Sequence, residues 1–211
     1  MARPLPDASK ESIAYFRGIP WCSNLLGDPA LIPMETPSRT LLPEAQHSLL
    51  AQTLHTNETV RECLSFYKPS PKPPERHPQD AHKPKSGSGS GSDSDIKSSS
   101  DQVYTLFSLG DGLNAHKHVC HGGFVAVLLD ETMALAVRLR PGMVTPFTLR
   151  TNIQYKKPIF TPAVVLCRAY FTKVEGRKSW VTATIEDERG QLYAMGESLW
   201  MEVKMVEESK L

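Results

Sequence analysis

The sequence lacks most features that mark extracellular, membrane-spanning or nucleic-acid-binding chains. Its 211 residues include only four cysteines, none at a paired spacing, so no disulfide framework is expected. No run approaches the roughly 20 apolar residues of a membrane span, and the first ten residues lack the layout of a secretory signal. Lysine and arginine total 24 against 23 acidic residues, which gives no electrostatic attraction for nucleic acid. We therefore expect a protein with reduced thiols that binds no nucleic acid and does not span a membrane. The expected location is the cytoplasm, with mitochondria as the alternative.

Composition divides the chain into three parts. Residues 69–101 are rich in Pro, Gly and Ser and cannot bury a core, which predicts a disordered linker or loop insertion. A phosphorylated regulatory tract is the alternative interpretation of its serines. Residues 1–68 are predicted to form an N-terminal arm that packs on a main domain, residues 102–205, with a ligand lid as the alternative role. Three apolar arm residues are expected to make this packing: Trp21, Leu25 and Leu26.

Local patterns predict two helices and a strand in the arm. Residues 9–16 form an amphipathic helix pattern with Ser9 as N-cap. The segment Ile19-Pro20-Trp21 is expected to break this helix. Residues 44–54 are predicted to be a second helix, and residues 59–67 a short strand.

The main domain contains one segment that is apolar around the whole helical wheel. Residues 124–137 are apolar at eleven of fourteen positions, which predicts a buried helix. Asp130 and Glu131 lie in its middle, where an unpaired carboxylate is costly and is typical of a functional group. Before it, Gly122 and Gly123 leave the first helical N–H groups accessible to a developing negative charge. An oxyanion site at one end and a buried acid partway along indicate acyl-transfer chemistry.

Strand patterns surround this helix. Residues 148–155 alternate between apolar and polar side chains, which predicts a half-buried strand. The other predicted strands are residues 103–109, 163–173, 179–186 and 192–204. A loop is expected at residues 110–119, and a hairpin turn at residues 187–190. One long buried helix with a run of antiparallel strands predicts an α+β fold, with the sheet wrapped around the helix.

The spacing of the two functional ends predicts a second copy of the chain. Nine residues separate His121 from Asp130, about 13 Å along a helix axis, and the two side chains point in roughly opposite directions. They cannot both touch one reacting carbon. If both serve one reaction, the helix end and the acid come from two chains, so we expect a homodimer with its site across the interface.

Several motifs carry a family resemblance. His-Gly-Gly is followed by Asp at the spacing of His121 and Asp130. Three other segments also resemble segments of known proteins: residues 155–158, 173–178 and 15–22. With these motifs the chain resembles the hotdog-fold acyl-CoA thioesterases of the PaaI-like branch, in particular their fungal members. The resemblance implies a curved antiparallel sheet around the helix and a homodimer, or dimer of dimers, with a continuous sheet. It also implies hydrolysis of acyl-CoA without metal or organic cofactor.

The resemblance also implies a role for each matching catalytic residue. Asp130 becomes the base or nucleophile that attacks or activates water. The amides of Gly122 and Gly123 become the oxyanion donors, with His121 orienting that turn. Thr148 falls where relatives place a hydroxyl near the attacking water.

Four further residues are assigned to the substrate. Arg177 and Lys178 fall where basic residues meet the CoA phosphates, and Asn114 and Lys156 complete the substrate-binding set. Two departures from the family pattern leave the size of the acyl group open. They are Lys117-His118 before the signature and Met133-Ala134 after the acid.

Other interpretations of the same residues remain. Glu131 is expected to make a structural hydrogen bond or face the interface. Cys120 beside His121 suggests a Cys-His nucleophile, but adjacent residues do not face one another on a helix. The histidines at 116, 118 and 121 suggest zinc, but no further ligand completes a set, so no metal site is predicted. The alternative functions are a hotdog hydratase, whose Asp-His constellation is not found, and a non-hydrolytic acyl-CoA-binding or biosynthetic accessory protein.

Overall fold

The computed structural model describes residues 9–69, 102–140 and 145–203. Most of the predicted linker, the Pro-Gly step predicted to follow the long helix, and the last predicted strand residue, Lys204, lie outside the described residues. No helix in the described part of the chain is long and apolar enough to cross a membrane.

A seven-stranded antiparallel sheet is the largest element. Its strands are β1 (Ile32–Met34), β2 (Val60–Lys68), β3 (Gln102–Leu109), β6 (Pro146–Tyr155), β7 (Ala163–Glu175), β8 (Lys178–Glu186) and β9 (Leu192–Glu202). They lie in the order β1-β2-β3-β7-β8-β9-β6. The predicted loop at residues 110–119 contains a separate small ribbon, β4 (Asn114–His116) and β5 (Val119–Cys120). The strands predicted at residues 59–67, 103–109, 163–173 and 179–186 are confirmed to within two residues at each end.

The long helix lies against one face of this sheet. The helix α3 (Gly122–Leu139) confirms the buried helix predicted from the apolar run, and nine of its residues are buried. They join inward-facing side chains of β3, β7, β8 and β9 in the main core. Close approach to β9 needs a glycine, because a Cβ at Gly196 would lie 3.2 Å from the Leu129 side chain. The α+β class with a sheet around the helix is therefore confirmed.

The N-terminal arm covers part of the opposite face of the sheet. The predicted first helix is confirmed as α1 (Lys10–Arg17), with the Ser9 side chain accepting from the Ser12 N–H as N-cap. Pro20 starts a second short helix, α2 (Pro20–Leu25), instead of only breaking the first. Buried arm residues form a second core with outward-facing residues of the sheet, and the predicted packing residues Trp21, Leu25 and Leu26 are part of it.

The second predicted arm helix, residues 44–54, is wrong. A 3₁₀ turn at Pro43–Ala45 and a π-helical turn at Leu49–Thr53 replace it, and Glu44, Ala45 and His47 have positive φ angles. Such backbone angles cannot continue a right-handed helix. Arg39 accounts for part of this, since its guanidinium donates to the carbonyl oxygens of Leu50 (3.0 Å) and Val60 (3.2 Å). These long-range hydrogen bonds hold the segment in a shape that local helix preference does not favour.

Strand β6 differs from the predicted half-buried strand. It forms the last strand of the sheet, and Phe147, Leu149 and Tyr155 are 45%, 49% and 56% exposed. Thr151 and Ile153 are half-buried. The apolar alternation is present, but the described chain covers little of it. The apolar residues of β6 are therefore available to another surface.

Candidate functional site

The start of α3 is a tight turn organised by His121. This residue is the N-cap, with φ −63° and ψ 130°, and its Nδ1 accepts from the Gly123 N–H at 2.8 Å. A Cβ at Gly123 would lie 3.0 Å from the His121 ring, so a larger residue there would require the ring to shift. The Gly122 N–H has no acceptor among the described residues. Of the two amides expected to receive an oxyanion, Gly122 is open and Gly123 is already occupied by His121.

Tyr155 closes the other side of this turn, a contact that the sequence did not predict. Its hydroxyl donates to the Gly122 carbonyl oxygen at 3.0 Å, and its ring lies 3.6 Å from where a Gly122 Cβ would be. A cleft of about 290 Å³ opens beside it, with Lys156 and Lys157 in its wall. Two lysines and an open helix N-terminus make this cleft suited to an anionic group.

Asp130 and Thr148 are brought together from separate elements. The Thr148 hydroxyl on β6 donates to Asp130 Oδ1 at 3.0 Å. Burial raises the pKa of Asp130 above that of an ordinary aspartate, and the hydrogen bond from Thr148 opposes this rise. A buried carboxyl with a hydroxyl beside it is an arrangement that suits general-base chemistry.

The surroundings of Glu131 and Cys120 differ from those of Asp130. Burial raises the pKa of Glu131, while a hydrogen bond from the Ser38 side chain lowers it. Glu131 and Ser38 of the arm line one small cavity, and Glu131 points to a different side of the helix from Asp130. Burial also raises the pKa of Cys120 to about 11, which leaves its thiol protonated and a poor nucleophile.

The predicted substrate-binding residues do not converge within one chain. Asn114 lies in a polar network, where its Oδ1 accepts from the Thr161 hydroxyl at 2.6 Å. Lys156 follows Tyr155 at the end of β6 beside the helix start, where its Nζ donates to Gln154 at 2.7 Å. Arg177 is exposed in the turn between β7 and β8, and Lys178 is exposed at the start of β8.

Lys156 and the Arg177-Lys178 pair lie at opposite ends of the sheet. Tyr155, next to Lys156, is paired with Ala194 of β9, and Lys178 is paired with Met201 of the same strand. Seven residues separate these two positions of β9, which is about 23 Å at roughly 3.3 Å per residue. One chain therefore has a basic group near each end of the helix.

The described residues form neither a metal-binding group nor a disulfide. No group of three His, Cys, Asp or Glu side chains that could hold a metal occurs in the three described ranges. All four cysteines are buried and free. The histidines at 116 and 118 lie in the ribbon before the helix, while His121 is engaged as its N-cap.

Part of the main domain is similar to a known protein family. Residues 117–194 match the model of the Thioesterase superfamily. Two solved structures are similar: zebra fish thioesterase superfamily member 2 has a TM-score of 0.46 at 18% identity over 48% of this chain and 75% of that chain. The E. coli PaaI protein has a TM-score of 0.45 at 13% identity over 49% and 73%. Residues 117–194 are therefore similar to the Thioesterase superfamily, and the predicted resemblance is confirmed for this part of the main domain.

Sequence relatives have two kinds of name. Acyl-coenzyme A thioesterase THEM4 of Rattus norvegicus is 35% identical over 85 residues, which is 40% of this chain and 36% of the relative. THEM4 of Mus musculus is 34% identical over 104 residues, 48% of this chain and 44% of the relative. Verlamelin biosynthesis protein B of Lecanicillium sp is 25% identical over 181 residues, 72% of this chain and 71% of the relative. The chain thus spans less than half the length of the two THEM4 relatives.

Proposed function

We propose that the protein hydrolyses acyl-CoA thioesters to a free acid and CoA. The observation that carries the proposal is the hydrogen bond from Thr148 to Asp130, because it gives a hydroxyl partner to a carboxylate in a largely apolar helix. The names of the THEM4 relatives support the substrate class. Hydrolysis needs only water and the thioester, so the proposed reaction uses no organic cofactor.

The proposed reaction uses Asp130 as base or nucleophile. As a base, the ionised carboxylate removes a proton from water, and the resulting hydroxide attacks the thioester carbon. The Thr148 hydroxyl holds the water beside Asp130. The negative charge on the thioester oxygen is stabilised by the Gly122 N–H at a helix N-terminus. When the tetrahedral intermediate collapses, the C–S bond breaks. Asp130 then gives the proton that it took from water to the departing CoA thiolate.

The complete site is proposed to need two copies of the chain. Gly122 and Asp130 are separated by eight residues, about 12 Å along the helix, too far for one reacting carbon. An antiparallel partner at the edge strand β6 places the helix start of one chain near Asp130 of the other. The exposed apolar residues of β6 support this arrangement. The two ends of the sheet then also meet, so that Lys156 of one chain and Arg177 with Lys178 of the other surround one CoA.

The proposed site also gives roles to His121 and Asn114. In the proposed site, His121 holds the glycine turn while Gly122 donates to the oxyanion. Asn114 contacts the substrate from the ribbon next to this turn.

We further propose a cytoplasmic location and a fungal type of domain. Buried free cysteines support the first, and the longer alignment with the Lecanicillium protein supports the second.

A thiol-release assay across short, medium, long and aromatic acyl-CoAs tests the activity. We expect turnover of at least one class, and a loss of at least about 100-fold in kcat for Asp130→Asn, because general-base catalysis contributes 10²–10⁴-fold. Circular dichroism checks that the variant is folded. If the folded wild-type protein releases no thiol from any of these substrates, the proposed activity is wrong.

Mixing two inactive variants tests the shared site. Gly122→Pro removes the open N–H but suits the first helical position, and the extended backbone of His121 is compatible with a following proline. In a mixed dimer with Asp130→Asn, one site carries both defects and the other carries neither. We expect activity to return when the two variants are co-refolded. Verified heterodimers that stay inactive contradict a site built from two chains.

A second candidate function is favoured by the relative with the longer alignment. Its name describes a biosynthesis protein, and the alignment covers most of both chains. The chain would then bind an acyl-CoA or pathway intermediate without hydrolysing it. Tight binding of acyl-CoA by calorimetry, with no thiol release, distinguishes this function from the first. Conversion of an enoyl-CoA without thiol release would instead indicate a hydratase.

A further inference from the structure

Arg140, the C-cap of α3, joins the end of the helix to the hairpin turn between β7 and β8. Its Nη2 donates to the Gly176 carbonyl oxygen at 2.7 Å, and its Nη1 donates to the Ser179 Oγ at 2.9 Å. These two acceptors lie directly on either side of Arg177 and Lys178 in the chain. Arg140 therefore contacts the hairpin immediately before and immediately after the two residues that are proposed to meet CoA.

The turn that Arg140 contacts is exposed and contains a glycine. Gly176 has a φ of 52°, and a Cβ there would meet nothing within 4 Å, so no side chain packs against this point. Glycine also loses more conformational freedom on folding than any other residue. A backbone hydrogen bond from the Glu202 N–H to the Arg177 carbonyl oxygen, at 3.0 Å, joins the turn to β9. Arg140 adds two more hydrogen bonds, one of them to Ser179, which is 0% exposed and gives the turn a fixed point in the core.

These contacts leave the charge of Arg140 without a neutralising partner. Both of its acceptors are neutral groups, and within the three described ranges no ion pair includes Arg140, Arg177 or Lys178. Glu175, which precedes the turn, is paired with Lys173 at 2.7 Å. Three positive side chains on one helix end and one hairpin repel one another, and a bound polyanion relieves this repulsion. The diphosphate and the ribose phosphate of CoA form such a polyanion.

Arginine suits this position because its planar guanidinium offers several donors in a fixed fork. A lysine would keep the charge but could not hold two acceptors in the same geometry. Resting on the proposed function, we propose that Arg140 is a positioning residue for CoA. It holds the turn so that Arg177 and Lys178 meet the phosphates, and it thereby favours CoA thioesters over thioesters that carry no phosphate.

Two thioesters of the same acyl group test the proposal, one of CoA and one of N-acetylcysteamine, which has no phosphate. For Arg140→Lys we expect the KM for the acyl-CoA to rise about tenfold at an unchanged kcat, the effect of one lost hydrogen bond to a charged group on substrate binding. The kcat/KM for the N-acetylcysteamine thioester should be the same in the variant and the wild type. A role in folding alone would instead lower both rates alike.

Two further variants make the comparison specific. Ser179→Ala removes one acceptor but keeps the charge of Arg140, and it should raise the KM for the acyl-CoA about threefold. Arg138→Lys is the matched control, because Arg138 is an exposed arginine in the last turn of the same helix, and it should leave this KM unchanged. Circular dichroism checks that each variant is folded. An unchanged KM for the acyl-CoA in Arg140→Lys, or an equal loss with both thioesters, overturns the assignment.

Binding of free CoA separates this proposal from the proposed activity. Its dissociation constant is measured by calorimetry on the wild type, Arg140→Lys and Arg138→Lys, which requires no turnover. Binding that is weaker by about tenfold in Arg140→Lys alone supports the assignment even if no thioester is hydrolysed. Hydrolysis of acyl-CoA with the same KM and the same CoA affinity in all three proteins overturns the role of Arg140 and leaves the thioesterase proposal standing.

Discussion

The Asp130 carboxyl is held in an apolar helix, where burial raises its pKa and the Thr148 hydroxyl opposes that rise. The same burial works against folding when the carboxyl is ionised. In the unfolded chain the carboxyl has its ordinary pKa. A folded-state pKa above this value means that folding is favoured while the carboxyl is protonated. That contribution is lost as the pH rises through the folded-state pKa.

Asp130→Asn is therefore expected to stabilise the protein at neutral pH. Because the amide carries no charge to bury, the variant should have a higher Tm than the wild type at pH 7. The difference should disappear below the ordinary pKa of aspartate, where the wild-type carboxyl is protonated in both states. Thermal unfolding followed by circular dichroism from about pH 3 to 8 measures this, with Asp187→Asn in the surface turn for comparison. A wild type that is more stable than the variant at pH 7 would contradict it.

Thr148→Val should change the pH dependence of activity. Its hydrogen bond lowers the pKa of Asp130, so its removal raises that pKa further. Since the ionised carboxylate is the active form in the proposed mechanism, the acidic limb of the kcat/KM profile should move to higher pH. The maximum should fall on the order of tenfold, the effect of one lost hydrogen bond to a charged group. Thr184→Val, on the outer face of β8, serves as the control. An unmoved limb would mean that Thr148 does not act on Asp130.

At the scale of elements, the start of α3 depends on a histidine as N-cap. His121 accepts from the Gly123 N–H, a position more often filled by Ser, Thr, Asp or Asn. His121→Ala should reduce the free energy of unfolding by about 1 kcal/mol, because the N–H loses its partner. His121→Asn should restore most of this stability, since asparagine is also a good N-cap. Urea denaturation of the three proteins measures the difference, and equal stability of wild type and His121→Ala would show that the cap contributes nothing.

Periodicity predicted most of the elements, because each follows from local spacing. The apolar run predicts α3, and the alternation of apolar and polar side chains predicts β6. Contacts between elements have no local signal: nothing near Tyr155 in the sequence indicates that its hydroxyl reaches the Gly122 carbonyl oxygen. The helix predicted at residues 44–54 fails for the same reason, since Arg39 holds that segment from outside it.

In the candidate site, too, the sequence predicted individual residues but not the contacts between elements. Two acids, Asp130 and Glu131, stand out in the apolar segment, and the family resemblance selects Asp130. Its contact with Thr148 is consistent with that resemblance. The preference of His121 for the Gly123 N–H could not be seen in the spacing. Neither could the small cavity that Ser38 of the arm and Glu131 of α3 both line, because these two residues are far apart in sequence.

At the scale of the whole molecule, the exposed apolar residues of β6 predict association. Leu149→Lys places a charge on this strand and should convert the proposed dimer to monomers. Because the proposed site needs two chains, thiol release should fall at least about 100-fold. Sedimentation velocity with a parallel assay measures both effects. Leu42→Lys is the matched control, since Leu42 is an exposed leucine of the arm, at 39% exposure. A fully active monomer would contradict the shared site.

The two outer strands of the sheet are not alike. On one side, β6 presents ten residues. On the other, β1 has three residues with Pro33 in the middle, which has no N–H to offer a further strand. A molecule that can be extended on one side only cannot polymerise by sheet addition. In the proposed dimer, two copies joined through β6 would have β1 as the last strand at each outer end. Its short length and Pro33 would disfavour the addition of a further copy, so the assembly would stop at a pair.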